Sequence, residues 1–249
     1  MERKIYSEFY LNSLYKDRII KDTKEFKIII SMGVIGIIAV IITIISDFIL
    51  IGRPNSAMDF LKLGTESMAG LSQWRITVGT FLGVIVIPFQ IAGLGMVYYA
   101  LKPAGKFKSL TVVISTAHAL MLAVGFHIAY AYIASGWRLY YETGASNLIV
   151  RDMMKMFDNY WLITLIIIGV EATVSSLLYI IIIIRYETLY PKWMAFLNPV
   201  GILICVFLMM LVLPYPIGGF IAPAFLNIST LTFFICQLVI LKQKDKVLI

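Results

Sequence analysis

The chain has 249 residues, of which 60% are hydrophobic and 14% charged, with a formal net charge of +7. Soluble domains carry about 25% charged residues and about 45–50% apolar ones. This composition excludes a disordered chain, a collagen-like fibre, a disulfide-rich scaffold and a soluble globular enzyme, and leaves an all-α polytopic integral membrane protein.

Residues 1–27 are rich in charge and carry Ile5, Phe9, Leu14, Ile19 and Ile20. They read as a cytoplasmic amphipathic segment lying on the membrane surface, not as a cleaved signal, because the apolar run that follows is too long. Residues 28–241 form the membrane domain. Six apolar runs within it are long enough to cross about 30 Å of hydrocarbon, which takes about 20 helical residues. They are Ile28–Ile51, Ile76–Leu101, Leu110–Ala134, Tyr160–Ile184, Trp193–Leu213 and Gly219–Leu241. Lipid offers the backbone no hydrogen-bond partner, and the runs do not alternate as barrel strands would, so a six-helix bundle is predicted. Residues 242–249 are a basic tail.

With the N-terminus inside, the inner segments hold 15 lysines and arginines and the outer ones 6. The positive-inside rule then places both termini in the cytoplasm. This also accounts for the net charge without nucleic acid, for which there is no basic-aromatic stripe, helix-turn-helix or zinc-finger spacing. The inner connections are short. The outer ones, Gly52–Arg75 and Ser135–Asn159, are long; they read either as plain connections or as holders of short interfacial helices, with Ser56 as a candidate N-cap for Ala57–Lys62 and Leu148–Phe157 as an apolar-rich stretch. Pro214 to Gly219 predicts a tight uncharged hairpin. Cys205 and Cys236 fall at depths differing by roughly 10 Å at 1.5 Å per residue, which predicts free thiols.

Ionisable groups at membrane depth need a partner or a role. Asp47 lies near the outer end of the first span, with Thr43 one turn below it and Gly36 on the same side. His127 and Tyr130 share a face of the third. His118 is nine residues from His127, half a revolution round the helix, so the two cannot chelate one metal. Glu171 lies about 16 Å into the fourth span, near the midplane; a carboxyl there suits a proton carrier, a general acid or an interhelical hydrogen bond. Gln90 sits among Gly79, Gly83 and Gly93, where close packing is expected, and Asn227 heads a polar stripe in the last span. By depth, Asp47, Arg75, His127, Tyr130 and Asn227 project to the outer half, which predicts a polar pocket open outward and floored by Glu171. No metal or cofactor motif and no phosphate-binding or serine-hydrolase signature occurs, so neither cofactor nor metal is expected.

Three short motifs carry a resemblance: Ser46-Asp47 followed by Leu50, Ser72-x-x-Arg75 opening a glycine-rich helix, and Gly125-Phe126-His127. Over about residues 33–134 the chain resembles an uncharacterised family of bacterial multipass membrane proteins, a domain of unknown function that usually has Gly-Asp where this chain has Ser46-Asp47. The resemblance implies a bacterial inner-membrane protein in which Asp47, Arg75 and His127 form a linked set. The expected function is binding or transport of a small organic or amphiphilic, lipid-like molecule, with membrane lipid as surroundings and a homodimer completing the path. The alternatives are an intramembrane acid/base enzyme on a lipid-soluble substrate, and an accessory or interaction protein.

Overall fold

The computed structural model describes the backbone of residues 2–52 and 64–248 and the side chains of residues 24–52, 65, 66 and 68–243. The expected cap Ser56 and the stretch Ala57–Lys62 lie outside the described residues. Helices account for nearly all the rest: α1 (Glu2–Leu50), α2 (Gln73–Leu101), α3 (Lys106–Glu142), α4 (Leu148–Arg185), α5 (Pro199–Val212), α6 (Ile217–Ile221) and α7 (Phe225–Leu248). No strand occurs among the described residues.

Five helical segments are long and apolar enough to cross a membrane: Lys24–Leu50, Gln73–Ala104, Lys106–Glu142, Leu148–Arg185 and Ile217–Gln243. The protein is an all-α polytopic membrane bundle. Rows of large apolar side chains face outward, among them Ile35, Ile38 and Ile45 on α1, Phe81, Ile85 and Phe89 on α2, and Ile163, Ile166 and Val170 on α4. Water would not tolerate apolar surface of that extent, and hydrocarbon does.

Two sequence expectations are corrected. The run Trp193–Leu213 holds a helix of only 14 residues, about 21 Å at 1.5 Å per residue. Trp193 belongs to a separate 3-10 turn, Lys192–Ala195. Asn198 caps α5 by accepting from the Gly201 N–H at 2.8 Å, and Pro199 starts it. At the other end Leu213 is extended, as a residue before proline prefers. The apolar run concealed these stops. The connection expected over Ser135–Asn159 shrinks to residues 143–147. Here α3 continues past its apolar run, and α4 begins early because Asn147 accepts from the Val150 N–H at 3.2 Å.

The amphipathic segment and the first span share one uninterrupted helix, α1. Lys102 bonds Glu25 at 2.8 Å, and the Leu189 N–H donates to the Ala100 carbonyl at 2.9 Å. Both contacts mark the end of the bundle that holds the described spans' outermost N- and C-terminal residues. At the far end the 3-10 segment Gly64–Gly70 lies on α3 and α4. There Thr65 donates to Asp158, and Tyr141 to Glu66.

Small residues set the spacing of α1 and α2. A Cβ on Gly36 would sit 2.6 Å from the Gly93 Cα, and one on Gly79 2.9 Å from the Leu50 Cα. Two apolar clusters result. One, near the termini end, includes Val40, Leu94, Tyr179 and Phe234. The other, at the far end, includes Leu50, Ile76, Tyr130 and Met154. Thr43, Ser46, Asp47, Gln90 and His127 fill the level between them, and all are buried.

Because backbone rather than a flexible side chain meets the added atoms, Gly36→Val should destabilise the bundle by about 1–3 kcal/mol, the usual range for overpacking. Thermal unfolding in detergent checks this. Gly169→Ala on α4, where a Cβ would meet nothing within 4 Å, should leave the midpoint within error.

Candidate functional site

On α1, residues 43, 46 and 47 share one side by the helical period. That side is turned toward α2, α3 and α7. Thr43 returns its hydroxyl hydrogen to its own helix, at the Ala39 carbonyl 2.9 Å away. Its oxygen accepts from Gln90 Nε2 on α2 at 2.9 Å. Gln90 Nε2 also reaches Asn227 Oδ1 on α7 at 3.4 Å. Asn227 Nδ2 in turn donates to Asp47 Oδ2 at 2.7 Å.

The second carboxyl oxygen faces His127 on α3. Asp47 Oδ1 lies 4.0 Å from His127 Nδ1, with the two side chains only 7% and 5% exposed. The opposite ring nitrogen, Nε2, is 3.1 Å from the Gly79 carbonyl oxygen and 3.2 Å from Ser46 Oγ. Ser46 also donates to the Gly79 carbonyl. A carbonyl only accepts, so the Nε2 edge carries hydrogen. A neutral His127 therefore presents a bare Nδ1 to Asp47. At 4.0 Å the two atoms are beyond hydrogen-bonding distance, so they attract as charges when His127 is protonated and Asp47 is not.

Gly83 makes this possible. A Cβ there would collide with the imidazole at Nε2, so the ring occupies the space that the missing side chain leaves on α2. Tyr130, one turn after His127 and buried, stands edge-on to the ring with centroids 5.6 Å apart. Phe126 and Trp161 stack at 4.7 Å beside them and close the set toward α4.

Arg75 sits at the end of α1. Its Nε donates to the Ile49 carbonyl at 2.7 Å, and its Nη2 reaches the carbonyls of Phe48 and Gly52 at 3.3 and 3.2 Å. A guanidinium on the orphan carbonyls of a helix C-terminus satisfies them and complements the helix dipole. It touches neither Asp47 nor His127, but it fixes the turn that carries Asp47.

Glu171 stands apart from this set. Both its carboxyl oxygens lie 2.9 Å from His118 Nδ1. His118 projects from α3 on the side opposite His127, so depth alone could not place Glu171 beneath Asp47. Of the expected residues, the structure brings together Asp47, His127, Asn227 and Tyr130, docks Arg75 one turn away and separates Glu171. It adds Ser46, Thr43, Gln90 and Gly83.

The succession Ser46, His127, Asp47 has the order of a hydrolase triad. The chemistry differs. Ser46 is committed to a carbonyl, and it lies inside a helix whose N–H groups bond their own carbonyls, so no oxyanion hole faces it. What the arrangement can do is hold, release or move one proton in a dry interior, and connect four helices while doing so.

The chain matches a family of unknown function (DUF6796) over residues 20–244 and belongs to that family. The match takes in all the site residues described above and extends well past the stretch whose motifs carried the resemblance. No curated protein and no solved structure matches the chain.

The Asp47–Asn227 contact should be measurable as a coupling. In a double-mutant cycle of Asp47→Ala and Asn227→Ala, unfolding in detergent should give an interaction of about 1.5–3 kcal/mol, as for hydrogen bonds to a group that can carry charge. Additive effects would mean that the contact carries no stability.

Proposed function

We propose that the protein binds a small organic or amphiphilic molecule from the membrane or the outer face, as a carrier or receptor, and couples that binding to protonation of the Asp47–His127 pair. The observation that supports this reading is the Asp47 Oδ1 to His127 Nδ1 approach of 4.0 Å inside the spans. An ionisable couple at that depth costs stability, so its presence points to a role. A structural bond alone would need no titratable pair, since amide and hydroxyl groups satisfy each other as well.

The neighbouring residues fit a binding role. Asn227 is half-buried and joins α7 to both Asp47 and Gln90, so moving α7 away from α1 and α2 would free two polar side chains together. The Thr80 hydroxyl beside Gly79 is fully buried and has no hydrogen-bond partner among the described residues; a bound molecule or water would satisfy it. The excess of basic residues at the termini end favours both termini in the cytoplasm and the Asp47 half facing out. A bacterial inner membrane accords with the resemblance noted from the sequence.

The adjacency of Asp47 and His127 favours one second reading, an acid/base enzyme acting on a lipid-soluble substrate, with a proton given to and taken from that substrate. Comparison of membrane lipids from cells with wild-type protein and with His127→Ala separates the two. An accumulated substrate would favour the enzyme.

The carrier or receptor reading is tested by thermal stabilisation of the purified protein against a panel of lipophilic amines and amphiphilic anions at acidic and alkaline pH. Binders should stabilise the wild type in a pH-dependent way, and Asp47→Asn should remove the pH dependence while leaving the fold intact. The same pH dependence in Asp47→Asn and His127→Gln would overturn the coupling.

A further inference from the structure

The pair His118–Glu171 is exposed, with side chains 58% and 25% accessible, yet it lies at membrane depth. His118 is 12 residues from the start of α3 and Glu171 is 14 residues from the end of α4, about 18 and 21 Å from that end of the bundle at 1.5 Å per residue. The surroundings are apolar and outward-facing. Ile114 and Met121 flank His118 on α3, and Ile167, Val170 and Val174 flank Glu171 on α4. His118 Nδ1 serves both carboxyl oxygens, while Nε2 has no partner among the described residues.

Hydrocarbon cannot satisfy that nitrogen, and leaving an ionisable pair facing lipid at the midplane costs at least about 2.5–3.5 kcal/mol per charged group on insertion scales. The unmet demand is one hydrogen-bond contact at His118, and Glu171 has spare accepting capacity beside it. With the proton on Glu171, or on both ring nitrogens, Nε2–H is a donor beside that acceptor on one surface. Under a twofold axis each copy's donor meets the other's acceptor, as an isologous interface requires. Gly125, two turns from His118 on its face, has open space where a Cβ would stand. That leaves room for helices of a second copy to come close.

We propose that the protein forms a twofold dimer across the exposed face of α3 and α4, with His118 of each copy bonded to Glu171 of the other. This extends the homodimer expected from the sequence by giving it a surface and a polar contact, and it is independent of the Asp47 set on the opposite side of α3.

Disulfide trapping in native membranes tests it. With Cys205 and Cys236 replaced by Ala, Met121→Cys should cross-link into a dimer under mild oxidation, while Ile38→Cys on the outward face of α1 should not. Adding Glu171→Ala should lower the yield about thirtyfold, matching the loss of the two symmetry-related interhelical hydrogen bonds at about 1 kcal/mol each. Gly125→Leu should lower it likewise and leave the thermal midpoint of the protomer unchanged, since open space lies there. Cross-linking at Met121→Cys no greater than at Ile38→Cys, an adduct with a different protein, or a dimer indifferent to both added substitutions would each overturn the proposal. Retained pH-dependent binding in a monomeric variant would leave the proposed function standing while this one fell.

Discussion

A carboxyl group inside a membrane has to be satisfied by protein, because neither water nor lipid will do it. In this chain that constraint falls on Asp47, and the bundle's centre is arranged around it. One oxygen takes Asn227 from α7 and the other faces His127 from α3. Gln90 of α2 ties Thr43 to Asn227. Four helices therefore meet through one polar level. Outside it the inter-helix ties are pairwise, as between Gln237 and the Tyr179 hydroxyl and between Thr116 and Ser175.

Close approach is the second condition, and it depends on the first. The imidazole reaches Gly79 and Ser46 because α2 presents Gly83 to it, and α1 approaches α2 across Gly36 and Gly93 and across Gly79. Larger residues at these points would hold the helices apart and open the polar level. Arg75 acts on the same geometry from outside, clamping the last carbonyls of α1 so that the turn carrying Asp47 has a fixed end.

The all-helical membrane class and most spans were legible in apolar run length alone, and Asp47 and His127 stood out because ionisable residues are scarce there. What the sequence concealed was angular or local. Depth put Glu171 below Asp47, whereas helix rotation put it with His118; the half-revolution between the two histidines held that information, but only contact with α4 could use it. Gln90 and Ser46 are ordinary polar residues in apolar runs and carried no mark of their partners. The short α5 was hidden because every residue between its two stops is apolar, although Asn198-Pro199 and Leu213-Pro214 were the signs that ended it. The long α3 and α4 were missed for the opposite reason. Their far ends are amphipathic, so hydropathy ends where the helix does not.

The two ionisable couples sit on opposite sides of α3, and their settings differ in the way that decides function. Asp47 and His127 are enclosed, with every polar atom around them turned inward, so a change of proton there is felt by α1, α2 and α7 at once. His118 and Glu171 are open, with Nε2 unmet and apolar neighbours on both flanks, so their demand can be met only from beyond the protomer. The enclosed pair is held by four helices and the open pair by two. A single helix, α3, carries a histidine of each kind, so any shift of α3 that loosens His127 from Gly79 also moves His118.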